Sequence, residues 1–288
     1  MENMKNQKRE HVLRPFSFDY DFVTSVPASV LMKLGNTKVL VTVSLQKGVP
    51  PFLKNSGQGW LTAEYSMLPH ATEMRSARNN INGQTNGRSV EISRLIGRVL
   101  RTVVDTDFGE QTLHVDCEVL QADGGTRAAS IIAASIALER AEKILLEKKR
   151  IRKKFLKERV AAISIGIMND HIVVDPSFQD DQLLQADFNV ILTEKGDLIE
   201  LHWGAEKAPV SWTVIETMKQ IAFSNVKTIF ELVDRATHAV VEQNIHDTEG
   251  LCNDYKKEHI DKTVGHIKPE SQSFGIFSLK NRLEKSAV

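Results

Sequence analysis

The chain has 288 residues, 41% of them apolar and 26% charged, enough to bury a sizeable core as one large domain or two small ones. Lysine plus arginine equals aspartate plus glutamate at 37 each, so no global basic field announces a polyanion, and any phosphate or RNA site has to come from local clustering. Two cysteines without a CxxC pair, scattered histidines and the lack of an apolar run of membrane length speak against a disulfide scaffold, a zinc site and a membrane span; a cytoplasmic enzyme or binding protein is the expectation.

Residues 1–12 are polar. From Asp19 the pattern turns to β. Residues 29–34 and 37–45 flank Gly35-Asn36, a two-residue turn of the kind that closes hairpins. Val39, Val41 and Val43 alternate with Leu40, Thr42 and Ser44, which suits a sheet with one well-buried face. After a loop rich in glycine and proline, residues 60–68 read as a further strand. Residues 69–87 form a long polar stretch with arginines at 75 and 78, either a surface insertion or an arm contacting a polyanion. Asn86 or Gly87 then introduces an amphipathic helix whose buried stripe is Ile92, Leu95, Ile96, Val99, Leu100 and Val103. Arg94, Arg98 and Arg101 fall on another face and read as a solvated or subunit-facing stripe. Arg88 differs, because a cation in the first turn opposes the helix dipole and is tolerated best where an anion binds.

The stretch 115–135, VDCEVLQADGGTRAASIIAAS, organises the rest. Leu113, Val115, Cys117 and Val119 alternate as a half-buried strand, and Cys117 reads as a small core residue. Asp123-Gly124-Gly125 permits a tight turn, and Thr126-Arg127 opens a run of small and apolar residues that reads as a buried helix. Such a junction suits an anion: the first N–H groups of the helix are unpaired, the dipole favours negative charge, and glycines let an oxyanion come close. Thr126 adds a hydroxyl donor, and Arg127 a planar fork that matches phosphate. An ordinary glycine-containing connection is the plain alternative.

The helix from Thr126 leads into a basic run between Lys148 and Arg159, which reads as a solvated helix end. Residues 159–168, 171–175, 184–193 and 198–203 form a second β block. Asp180 and Asp181 precede an apolar pair, and Asp187 sits inside a strand that otherwise reads as buried. A carboxylate there needs a metal, a proton-transfer role or a cation, and a salt bridge to a core arginine is the simplest expectation. Residues 209–247 read as two helices. Beyond Gly250 the chain is polar and lysine-rich until an apolar end with Phe274, Ile276, Phe277 and Leu279, read as docking on the body or on a partner.

Six segments, LRPF (13–16), GNTKVLVTVS (35–44), GVPPFLKNSGQGWLTAEYSMLP (48–69), GRSVEISRLIGRVLR (87–101), VDCEVLQADGGTRAASI (115–131) and ADFNVILT (186–193), strongly resemble the bacterial ribonuclease PH family and follow its order. The resemblance implies an α+β fold, the ribonuclease PH domain of the ribosomal protein S5 domain 2-like type, with mixed sheets and helices packed on them. On this reading residues 1–12 are a polar N-terminal segment, 13–247 the catalytic domain and 248–288 a polar tail. The implied activity is phosphate-dependent 3′→5′ exoribonucleolysis of tRNA precursors and other structured RNAs such as rRNA precursors. It releases nucleoside 5′-diphosphates reversibly, and the implied assembly is a homohexamer built as a trimer of dimers.

By the same resemblance, inorganic phosphate is a co-substrate held by Arg88, Gly125, Thr126 and Arg127. Asp181 and Asp187 are the catalytic carboxylates and the expected Mg²⁺ ligands, with Asp187 as general acid or metal ligand and Asp181 assisting. Arg75 and Arg78 are RNA contacts of the polar loop, and His70 stands where the loop's first arginine is expected. An RPDGR-like start is replaced by NQKRE (6–10), and a Gly–Thr pair before Ala205-Glu206 by Trp203-Gly204. The rival readings are a non-catalytic RNA-binding ring subunit of an exosome-like assembly and a phosphorylase of the polynucleotide phosphorylase type, which would carry a duplicated domain.

Overall fold

The computed structural model describes residues 12–76, 86–169 and 171–260, with side chains described as far as Thr237. Period-two alternation builds a first sheet from β1 (Phe16–Tyr20), β2 (Ala28–Leu34), β3 (Thr37–Lys47), β4 (Trp60–Met67) and β5 (Gln111–Gln121), ordered β1-β2-β3-β5-β4. Val39, Val41 and Val43 are fully buried and their neighbours partly so, as the alternation required. Gly35, at φ 57°, closes the antiparallel β2–β3 hairpin. β4 and β5 run parallel, so their connection needs a crossover, and helix α1 (Gly87–Val103) supplies it. Its expected stripe is buried, with Ile92, Ile96, Val99 and Leu100 fully so and Leu95 only partly.

Helix α2 (Thr126–Glu147) follows β5 and packs on β2 and β3 on one side and on β6 (Val160–Met168) on the other. With a sheet on both sides it buries nearly its whole first four turns, including Ala129, Ala133, Ala134, Ala137, Leu138 and Ala141. That is why its sequence has small and apolar residues all round instead of a stripe. The second sheet, ordered β7-β6-β8-β9, is antiparallel throughout and adds β7 (His171–Val174), β8 (Ala186–Thr193) and β9 (Leu198–Ala205). A single turn, α3 (Phe178–Asp181), links β7 to β8. The architecture is the expected α+β one, and Cys117 is buried in its core. Among the described residues no helix is long and apolar enough to cross a membrane.

Three expectations need correction. Residues 209–247 are not two helices but part of one, α4 (Trp212–Ile260). No glycine or proline lies between 212 and 249, and the buried Asn225 donates its amide to the Ile221 carbonyl at 2.9 Å within the helix. The α1 arginines are not a uniform solvated stripe: Arg98 pairs with Glu200 at 2.8 Å. Arg101 donates to the Leu61 carbonyl at 3.1 Å and lies over the Trp60 ring. At the end of the basic run, Arg159 is committed within the protein to Glu194 and Asp234, with its guanidinium over Phe230. The chain divides into compact units at His238/Ala239, and the site described below belongs to the first. The NQKRE segment, Arg78 and the apolar residues 274–283 lie outside the described residues.

Candidate active site

The turn after β5 places two glycines in the left-handed region, Gly124 at φ 75° and Gly125 at φ 64°. Gly124 is required twice over, since a Cβ there would stand 2.4 Å from the Pro176 carbonyl oxygen. Gly125 is the N-cap of α2; its carbonyl accepts the first helical bond from Ala129 at 2.9 Å, and no side chain caps the helix. The first-turn N–H groups therefore keep their donor capacity. The other two helix starts near the cleft are closed. Asn86 accepts from the Arg88 N–H at 3.0 Å on α1, and Ser177 and Asp180 form a reciprocal capping box on α3.

Side chains complete this wall. The buried Tyr65 donates its hydroxyl to Thr126 Oγ1 at 3.0 Å, so the threonine's own hydrogen is left to turn into the cleft. Burial pushes the Tyr65 phenol up, more than the Thr126 hydrogen bond and the charges of Arg88 and Arg127 pull it down, which keeps it a neutral donor. Arg127 is partly buried, 3.5 Å from Glu91, and its Nε is buried without a hydrogen bond among the described residues. Arg88 stands exposed in the first turn of α1.

The opposite wall is acidic. Asp187 lies on β8, opposite Gly166 of β6 and Gly204 of β9. Among the described residues the core-arginine salt bridge expected for it does not form. Its Oδ2 accepts from Asn189 Nδ2 at 3.0 Å, and Asn189 Oδ1 accepts from Ser164 at 2.6 Å. The half-buried position at the cleft explains this, because the carboxylate is not enclosed deeply enough to need a full counter-charge. Asp181 ends α3, and its carboxyl is raised above the usual aspartate range. Loss of hydration contributes most, then the charges of Asp187 and Glu206, with Arg88 and Arg127 pulling the other way.

One cleft of about 580 Å³ joins the walls. It is lined by Arg88, Gly125, Thr126, Arg127, Asp181 and Asp187, the residues expected for phosphate binding and catalysis. His70 and Arg75 are exposed on the segment after β4 and are not among its lining residues. Sequence reasoning missed Tyr65, Asn189, His202 and Glu206, which also line the cleft. Tyr65 shares its strand face with Leu61 and Ala63 and so read as core. Asn189 stands two residues from Asp187, hence on the same face of the strand, and that signal was available. No group of three or more His, Cys, Asp or Glu suited to a metal is present among the described residues. Mg²⁺ asks for less, one or two carboxylates plus substrate phosphates and waters, and Asp181 and Asp187 across the cleft from the two arginines fit that requirement.

Comparisons with known proteins bear on the family and the fold. Residues 12–143 match the 3′ exoribonuclease family, domain 1, and residues 158–225 match its domain 2. Among curated relatives, ribonuclease PH of a Hydrogenobaculum species is 42% identical over 229 residues, covering 79% of this chain and 90% of that protein. Ribonuclease PH of Bacillus velezensis is 41% identical over 231 residues, covering 79% and 94%. Among solved structures, the Archaeoglobus fulgidus exosome with RNA bound to the active site superposes with a TM-score of 0.66 at 18% identity, covering 80% of this chain and 95% of that one. Rice Rrp46 gives 0.63 at 18% identity, covering 79% and 96%. At such identities the solved structures support the fold alone.

Proposed function

The chain belongs to the 3′ exoribonuclease family, and from that premise we propose that it is a phosphate-dependent 3′→5′ exoribonuclease acting on tRNA precursors and other structured RNA 3′ ends. The observation that carries this reading is the single cleft in which an uncapped helix N-terminus and two arginines face a pair of carboxylates. Two anions, orthophosphate and a phosphodiester, have to meet there, and positioning with stabilisation of spread negative charge is the main work of such transfer.

Arg88, Arg127, the Thr126 hydroxyl and the backbone at Gly125 hold orthophosphate. One of its oxygens attacks the terminal phosphodiester phosphorus in line, a new P–O bond forms, and the bond to the penultimate 3′-oxygen breaks. The products are a nucleoside 5′-diphosphate and RNA shorter by one nucleotide. Asp187, assisted by Asp181, delivers a proton to the leaving 3′-oxygen and the proton shed by orthophosphate restores it; loss of hydration with the charges of Asp187 and Glu206 shifts the Asp181 carboxyl upward, the direction that such an exchange needs. Asn189 fixes the Asp187 carboxylate beside it. Asp181 and Asp187 would hold Mg²⁺ when it is bound, which supplies positive charge against the reacting phosphates. One phosphodiester-type bond is exchanged for a diphosphate of similar energy, so the reaction runs in both directions.

His70, Arg75 and Arg78 are assigned to the RNA body beyond the cleft, and the exposed positions of the first two suit that role. A cytoplasmic homohexamer, a trimer of dimers, is part of the same proposal. The test mixes purified protein with tRNA carrying a short 3′ tail, with and without phosphate. Nucleoside diphosphates that form only with phosphate support the reading. Monophosphates formed without phosphate rule it out, a wild type that binds the tailed tRNA but releases no nucleotides in either arm would point to a non-catalytic RNA-binding subunit instead, and full trimming by Asp187→Asn would remove Asp187 from the chemistry.

A further inference from the structure

Arg14 is outside the cleft lining, yet it donates five hydrogen bonds to groups around the turn that lines it. Its Nε and Nη2 form a two-pronged bridge to Asp175 at 2.8 and 2.7 Å, and its own backbone N–H adds a third bond to that carboxylate at 3.2 Å. The pair is nearly dry, with side-chain exposures of 12% and 3%. The guanidinium's remaining donors go to the glycine turn: Nη1 to the Asp123 carbonyl and Nη2 to the Gly124 carbonyl at 3.3 Å. Thr37, fully buried at the start of β3, donates its hydroxyl to the same Gly124 carbonyl at 2.6 Å and accepts the Asp123 N–H at 2.9 Å.

The consequence follows from the planarity of the peptide. The peptides here are trans, so each carbonyl points opposite to the N–H of the next residue. Holding the Asp123 and Gly124 carbonyls back toward Arg14 and Thr37 aims the N–H groups of Gly124 and Gly125 the other way, toward the cleft that both glycines line. Without those donors the two glycines have the widest conformational freedom of any residues in the chain, and the amides would lose their direction. Asp175 itself adopts φ 51°, a left-handed conformation that persists where surroundings over-determine it.

We propose that Arg14 and Thr37 are positioning residues for orthophosphate: anchored by Asp175, Arg14 works with Thr37 to hold the turn's carbonyls away and present its amides to the anion. This rests on the reading of the cleft as a phosphate site. Neither residue touches substrate. Arg14 brings the stretch before β1 to the turn, Thr37 the β2–β3 hairpin and Asp175 the end of β7, so three distant segments set one anion-binding geometry.

The experiment uses the full chain and the variants Arg14→Gln, Thr37→Val and Thr37→Ser. KM for orthophosphate is read at saturating tailed tRNA, KM for RNA at saturating phosphate, and orthophosphate binding without RNA by calorimetry. The expected result is that Arg14→Gln and Thr37→Val raise the phosphate KM about tenfold or more and leave the RNA KM within about twofold, and that Thr37→Ser restores the phosphate KM. Folded variants with an unchanged phosphate KM, or with both KM values rising together, overturn the proposal. If Arg14→Gln does not fold, the Val and Ser variants of Thr37 decide alone. If the wild type binds orthophosphate but makes no diphosphates, the catalytic reading fails and calorimetry on the same variants still decides this one. A wild type that binds no orthophosphate overturns both.

Discussion

The two walls of the cleft are held in opposite ways. On the phosphate wall the backbone is locked: Gly124 fits only without a side chain against Pro176, Thr126 is tied to Tyr65, and the turn's carbonyls are occupied by Arg14 and Thr37. On the acidic wall the constraints are few. Asp181 ends a single exposed turn, and Asp187 has one neutral amide beside it. Donors that stabilise a transferring phosphoryl group work by being fixed in advance, which packing supplies. A carboxyl that exchanges a proton works by being able to change charge, which needs partial access to water and no permanent cation partner.

This contrast is broken most forcefully on the rigid side. Arg127→Ala removes the partly buried fork that faces the anion, and kcat/KM for phosphorolysis should fall about 10²–10³-fold with the melting midpoint little changed. Steady-state kinetics with a thermal melt checks both halves. Gly124→Ala puts a Cβ against the Pro176 carbonyl at a left-handed position and should cost about 2–4 kcal/mol of stability, seen in denaturant unfolding as a lower midpoint. Tyr65→Phe deletes one hydrogen bond to Thr126, worth about 1 kcal/mol, and should raise the phosphate KM about fivefold at constant RNA KM.

The flexible side should respond to pH. The Asp181 carboxyl is raised in the folded chain, so the stability it contributes is fully present below the unfolded aspartate's value and is lost as pH rises through the folded one. Asp181→Asn, compared with wild type in chelator, should therefore raise the melting midpoint at pH 8, with the gain shrinking toward zero as pH falls below the ordinary aspartate range. The same variant should trim RNA poorly. A variant whose stability relative to wild type is the same at every pH would show that neither loss of hydration nor the neighbouring charges disfavour the carboxylate.

Much of the phosphate wall was legible because its signals are local. Alternation at Val39, Val41 and Val43, the Gly35-Asn36 turn and the strand–glycine–helix junction at residues 115–135 each declare themselves within a few residues. What was hidden depends on distance along the chain. Arg14 and Asp175 are 161 residues apart, and nothing in either segment names the other. Asp187 was expected to seek an arginine because burial was read from its apolar neighbours, whereas its strand runs past the mouth of a cleft. Residues 209–247 were read as two helices from two sets of apolar positions, Val214 to Ala222 and Ile229 to Val241, yet the helix continues between them and Asn225 turns its amide back onto it.

The central claim is that this cradle presents orthophosphate, not water, to the last linkage of an RNA strand. The most direct measurement supplies tailed tRNA with isotopically labelled orthophosphate and follows the label in the released mononucleotides. The account predicts label in the β-phosphate of nucleoside 5′-diphosphates from the wild type and its near loss with Arg127→Ala. Unlabelled nucleoside monophosphates as the main product, or full labelling by the Arg127→Ala protein, would contradict it.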